Sequence, residues 1–312
     1  MSLRRFPIVL TSTLFVILQV SIGTGAIRIE GFSTDRHDRF RDDPAPDDFI
    51  LSQQDLTGVA RSTDGRWATM ISPTHFLSAD HFPPGIGSTL TFHHDNSTTG
   101  VTLTRTVTTG MQLGGTDLWI GQLNAPVDQG VKIYSIADPG VYLDVTTVYH
   151  IGLSMSGPLG SDTTTDFAVG RNVYDLDLGL VTISSGQTTY AAGYLDDSVA
   201  GDLASPFTTG PNNLSPDETY FNSGDSGGPT FIDSNGDLLL FGIHSFQADI
   251  SLEPPHNSSS VERRASGDSY LPEYKGDILM AIPEPSAFMA VLVGVVLSMG
   301  ALAARRFVAG RR

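Results

Sequence analysis

Cysteine is missing altogether from the 312 residues. That excludes disulfides, thiolate nucleophiles and cysteine-held zinc or iron-sulfur groups, so packing and hydrogen bonds must hold whatever fold forms. Positive charge is also scarce: 18 Lys and Arg stand against 34 Asp and Glu, a formal net charge of -16. Such a balance repels phosphate backbones and anionic surfaces, and no nucleic-acid partner is expected. Long apolar runs occur only at the two ends, and no interior stretch sustains an apolar period of 3.6. The length nevertheless suffices to bury a full core.

Both ends read as addresses. Residues 1–26 pass from Arg4 and Arg5 through an apolar stretch to Thr24, Gly25 and Ala26, the layout of a secretory signal. At the other end, residues 283–312 carry Pro283-Glu284-Pro285, an uncharged segment from Ser286 to Ala304, and then Arg305, Arg306, Arg311 and Arg312. Nineteen such residues at about 1.5 Å each approach the hydrocarbon thickness of a bilayer, and the trailing arginines favour its cytoplasmic side. This order also resembles the PEP-CTERM sorting signal of Gram-negative bacteria. The resemblance implies an exosortase-type membrane enzyme as partner and a place in the cell envelope or on its outer surface.

Residues 27–55 are charged, contain prolines and lack an apolar period, which reads as a linker or pro-segment. From Leu56 to residue 282 the texture changes. "RWATMIS", "STLTFHH", "VTLTRTVTTG", "DLWIGQL", "VTTVYHIGL" and "LVTISSG" are short runs of β-branched and aromatic residues between turn residues. "TFIDSNGDLLLFGIHSF" adds a hairpin about Asn235-Gly236. An all-β architecture of many short strands is expected.

One segment is unlike a bland turn. "YFNSGDSGGPTF" sets Ser226 among Gly224, Gly227 and Gly228, with Asp225 before it and Pro229 opening the next strand. Glycines let the backbone turn tightly and aim its own N–H groups at a ligand oxygen. The string "GDSGGP" resembles the nucleophile loop of the chymotrypsin-like serine peptidases. Two upstream blocks extend the resemblance over about residues 56–250: "ISPTHFLSADHF", pointing to His81, and "GGTDLWIGQL", pointing to Asp117. "GIHSF" resembles the strand lining the substrate cleft, with Ser245 where the buried aspartate is supported. Phe82 and Asn222 stand where animal members have cysteines.

The resemblance implies two antiparallel six-stranded β-barrels with the active site in the cleft between them, the first holding His81 and Asp117 and the second Ser226. It implies a serine endopeptidase acting on protein or peptide substrates through an acyl-enzyme, with Gly224 and Ser226 N–H as oxyanion hole and neither cofactor nor metal. His75 competes with His81 as base, but it follows a turn-like Pro73-Thr74. His93-His94-Asp95 suggests a metal site only weakly, because neighbours on a strand face opposite ways. The substrate pocket stays open. The position that is acidic in trypsin-like relatives falls on Tyr220, with Asp217 and Glu218 nearby, while His244 resembles the histidine of glutamate-specific relatives and Phe221 replaces their companion threonine. Aromatic or aliphatic, acidic and basic preferences all remain. For a freshly cut amino terminus inserting beside Asp225, Ile29 is the candidate start, and activity without insertion is the expectation. A catalytically silent peptidase-fold surface or matrix binding protein is the alternative reading.

Overall fold

The computed structural model describes residues 27–40, 48–97, 99–140, 146–154, 167–195, 216–252 and 261–282. The expected signal at 1–26 and the expected sorting tail at 283–312 fall outside them. The chain divides into two compact units, Met1–Glu273 and Tyr274–Arg312, and both barrels and the site belong to the first.

The described chain begins with β1 (Arg28–Ile29) and one helical turn, α1 (Thr34–His37). Six strands follow: β2 (Val59–Ser62), β3 (Trp67–Met70), β4 (His75–Ser78), β5 (Thr89–His93), β6 (Thr102–Gln112) and β7 (Trp119–Leu123). They close into an antiparallel barrel in the order β2-β3-β4-β7-β6-β5. Along β5 Leu90 and Phe92 turn inward and Thr89 and Thr91 outward, the period of two that a half-buried strand demands. The barrel is filled by Phe76, Phe92, Trp119 and their aliphatic neighbours. Gly110 and Gly121, register partners on β6 and β7, make room for that filling: a Cβ on Gly110 would lie 1.8 Å from the Trp119 ring, and one on Gly121 2.2 Å from Phe76.

The second half comprises β8 (Thr147–Gly152), β9 (Ala168–Val173), β10 (Leu176–Thr182), β11 (Thr188–Leu195), the short β12 (Thr219–Tyr220), β13 (Pro229–Ser234), β14 (Asp237–Leu252) and β15 (Val261–Tyr270), which runs into α2 (Leu271–Ala281). Seven of these strands form one sheet in the order β10-β11-β15-β14-β13-β8-β9, curled into a half-barrel. The expected all-β architecture of two barrel-like domains is thus present. The second carries seven strands rather than six, because β10 hairpins back on β11 at the sheet's edge. The hairpin between β13 and β14 turns at Asn235 (φ 58°) and Gly236 (φ 92°), two left-handed residues as a type I′ turn requires.

Residues 27–40, which the charge pattern suggests as linker, are packed into the second half. Arg28 and Ile29 pair with Tyr220 and Thr219 of β12. Ile27 and Ile29 join the core of Val148, Tyr194, Phe221 and Phe241. The charges of this segment find partners far away in sequence. Asp217, fully buried, accepts Arg36 Nε and Nη2 at 2.6 and 2.7 Å, His37 Nε2 at 3.1 Å, and Arg171. These hydrogen bonds and cations outweigh the cost of burial and hold its carboxyl down at about 2. Arg39, also buried, donates to Asn96 Oδ1 at 2.8 Å and to the Asp95 carbonyl at 3.0 Å, with its guanidinium over Phe40 and Phe167. Among the described residues, no helix is long and apolar enough to cross a membrane.

Candidate active site

The pairing of β4 with β7, with Ser78 opposite Trp119, carries the residues just past β4 alongside those just before β7. His81 therefore comes to lie against Asp117. The His81 backbone N–H donates to Asp117 Oδ1 at 3.0 Å, and its ring Nδ1 lies 2.9 Å from both carboxylate oxygens. Asp117 is fully buried, and from the second barrel Ser245 Oγ donates to its Oδ2. The other ring nitrogen, Nε2, is 2.9 Å from Ser226 Oγ. Asp117, His81 and Ser226 thus form one hydrogen-bonded line, its first two members from the closed barrel and its last from the half-barrel. His75 stays outside it. It begins β4, with its Nδ1 3.0 Å from Ser72 Oγ and 3.1 Å from Thr74 Oγ1.

The loop around Ser226 is folded by its own backbone. Asp225 N–H donates to the Asn222 carbonyl, Gly227 N–H to that of His244, and Gly228 N–H to that of Asp225, all within 3.1 Å. Gly224 and Gly227 sit at φ 98° and 85°, the left-handed region where a side chain costs strain. Among the described residues, Gly224 N–H and Ser226 N–H alone in the run 224–228 have no protein partner. A backbone that spends every other donor and leaves these two open is suited to an oxygen acceptor. Trp67 of the first barrel reaches across, its indole N–H donating to the Gly224 carbonyl at 3.0 Å.

Beneath the serine lies Asp225, wholly buried, taking backbone N–H bonds from Leu153 at 2.8 Å and Asn222 at 2.7 Å. Burial pushes its carboxyl up to about 7 against those bonds. Ile27, not Ile29, is its neighbour from the amino-terminal segment. A Cβ placed on Gly152 would touch both, 2.5 Å from Asp225 Oδ1 and 2.8 Å from Ile27 Cβ, and Ile27 N–H donates to the Leu153 carbonyl at 3.1 Å. Ile29 instead sits opposite Thr219, near Gly170. The sequence hint was there in plain form, since Ile27 directly follows Ala26, the last small residue of the expected signal.

The residues singled out for substrate binding lie in one region of the half-barrel. Tyr220 is in β12, paired with Arg28. His244 is 1% exposed, stacked on Phe221 with ring centroids 3.8 Å apart, and burial brings its imidazole down to about 3. A second buried imidazole, His150, stands edge-on to it at 5.6 Å. Asp217 is occupied by Arg36, Arg171 and His37, and Glu218 is 2% exposed. His93 is buried with its Nδ1 against the Ser97 carbonyl, while His94 pairs with Asp128. Among the described residues, no group of three metal-ligating side chains comes together.

The chain matches no family model and no curated protein.

Proposed function

We propose that this protein is an exported serine endopeptidase of the trypsin-like fold, cleaving peptide bonds through Ser226, His81 and Asp117. The observation that carries the proposal is the line from Asp117 through His81 to Ser226, ending beside two open backbone donors. A serine hydroxyl attacks a carbonyl only as a base removes its proton, and an imidazole takes and returns protons near neutrality. As Ser226 Oγ bonds to the scissile carbon, its proton passes to His81 Nε2, while Asp117 stabilises the imidazolium and fixes its tautomer. The carbonyl oxygen, now anionic, lies between Gly224 N–H and Ser226 N–H. His81 then protonates the leaving amine, the C–N bond breaks, and an acyl-Ser226 remains. Water, deprotonated by His81, adds to the acyl carbon and releases the acid and the serine.

The aromatic side chains of Tyr220, Phe221 and a His244 that burial keeps neutral favour an uncharged substrate side chain over an acidic or basic one. A carboxylate would need a protonated His244, and burial opposes that charge. The signal at 1–26 exports the chain, and the tail at 283–312 hands it to an exosortase-type enzyme at the membrane. A fluorophosphonate probe tests the central claim: it should form a covalent adduct on Ser226, with loss of peptidase activity in step. A purified protein that neither reacts with the probe nor cleaves a broad peptide library would refute it.

A further inference from the structure

We propose that Trp67 is a positioning residue for the oxyanion donor: its indole N–H holds the Gly224 carbonyl and so fixes the Gly224 N–H relative to His81. The inference rests on the peptidase reading above and names a part of that site which no sequence motif marks.

The geometry is specific. Trp67 is fully buried in β3, on the barrel that carries His81 and Asp117, whereas Gly224 belongs to the half-barrel that carries Ser226. The 3.0 Å bond is therefore a strut between the two halves, ending one residue from the nucleophile's aspartate. Packing fixes the indole itself: Phe167 meets it edge-on at 4.9 Å, and the Arg61 guanidinium lies 5.2 Å from its ring centre. At the other end stands a glycine at φ 98°, the residue type with the freest backbone. Its own N–H has no partner among the described residues, and the peptide that follows it is held from both sides, its carbonyl by the Trp67 indole and its N–H, that of Asp225, by the Asn222 carbonyl. Released from the indole, that peptide would be held by the Asp225 N–H alone and would tilt its carbonyl toward water, displacing the Gly224 Cα and the N–H it carries and bringing a negative dipole toward the place where the oxyanion forms. Tryptophan suits this task because it is a donor only: its N–H has a single direction, and the rest of the ring packs.

The test removes the N–H and keeps the ring. In Trp67→Phe, and in a protein carrying the sulfur isostere β-(3-benzothienyl)alanine at position 67, phosphonylation of Ser226 by a fluorophosphonate should slow about tenfold. That is less than the 10² to 10³ lost with a whole oxyanion donor. The rate constant kcat should fall by the same factor with KM unchanged within about twofold, and peptide binding in a Ser226→Ala background should not change, because ground-state binding does not use the donor in this way. If Trp67→Phe does not fold, the isostere decides alone, since it fills the same volume. Labelling as fast as the wild type in the isostere protein overturns the inference and leaves the peptidase reading intact. Loss of peptide binding in step with kcat overturns it too, by showing a purely structural role. A wild-type protein that resists the probe overturns both readings together.

Discussion

Cleavage after Ala26, at the end of the proposed signal, would convert the Ile27 amide N–H into an ammonium near Asp225, and the consequences can be worked from the structure. In the uncut chain the Asp225 carboxyl is buried and pushed up to about 7. Measured against an ordinary aspartate, a shift of about three units amounts to roughly 4 kcal/mol against ionisation. A cation at roughly 5 Å would, at an effective dielectric near 20, return about 3 kcal/mol. The two terms nearly cancel, so the new amino terminus decides whether Asp225 can be charged under Ser226. The sign follows: without the ammonium, stability is fully present below about pH 4 and declines as the pH rises through about 7, where a buried carboxylate must go unpaired. With the ammonium, that decline should be absent until the amine itself loses its proton near pH 8 or above. The assay compares the secreted form starting at Ile27 with one retaining Ala26 and with Asp225→Asn. Peptidase kcat/KM should fall ten- to a hundredfold in the Ala26 form at pH 8 and recover partly at pH 6, while Asp225→Asn should be impaired at both. An Ala26 form as active and as stable at pH 8 as the Ile27 form would refute the reasoning, as would a secreted amino terminus other than Ile27.

Three further outcomes are expected. Ser226→Ala and His81→Ala should reduce peptide cleavage to trace levels while shifting Tm little, because His81 is partly exposed and neither residue fills the core; circular dichroism and a chromogenic peptide check both. Asp217→Asn should cost about 2 kcal/mol in urea unfolding at neutral pH, and the wild type should lose that increment as the pH falls from about 4 through about 2, since the folded carboxyl sits below its unfolded value. Peptide-library profiling should find cleavage after uncharged residues, with dominant cleavage after Arg or Lys contradicting the burial and pairing of Asp217.

What the sequence made legible was local. β5 and β7 could be read from short runs of β-branched and aromatic residues, and the β13 to β14 turn from Asn235-Gly236, because each signal lies within the element it specifies. The same holds for Ser226, His81 and Asp117, each inside a short block. The amino-terminal segment was not legible, for a physical reason. Arg36 and His37 look like solvated linker charges, and only contact with Asp217, some 180 residues on, makes them structural. β10 as a seventh strand depends on an edge left open by the rest of the sheet, and an indole's choice of acceptor leaves no trace in its neighbours.

The absence of cysteine raises the question of what stands in for covalent bracing around Ser226. A disulfide would contribute about 2 to 4 kcal/mol, mostly by restricting the unfolded chain, and would do so whether or not the halves were docked. Here three bracing hydrogen bonds exist only in the docked state, since Trp67 to Gly224, Ser245 to Asp117 and His81 to Ser226 cross between the halves, while Leu153 and Asn222 hold Asp225 from within the half-barrel. Each contributes about 1 kcal/mol net, yet an unmade partner in a buried place costs up to about 3. Partial docking is thereby penalised more than full docking is rewarded. A site built this way should lose its geometry all at once, so that probe reactivity of Ser226 and near-ultraviolet signals from Trp67 and Trp119 disappear at the same denaturant concentration.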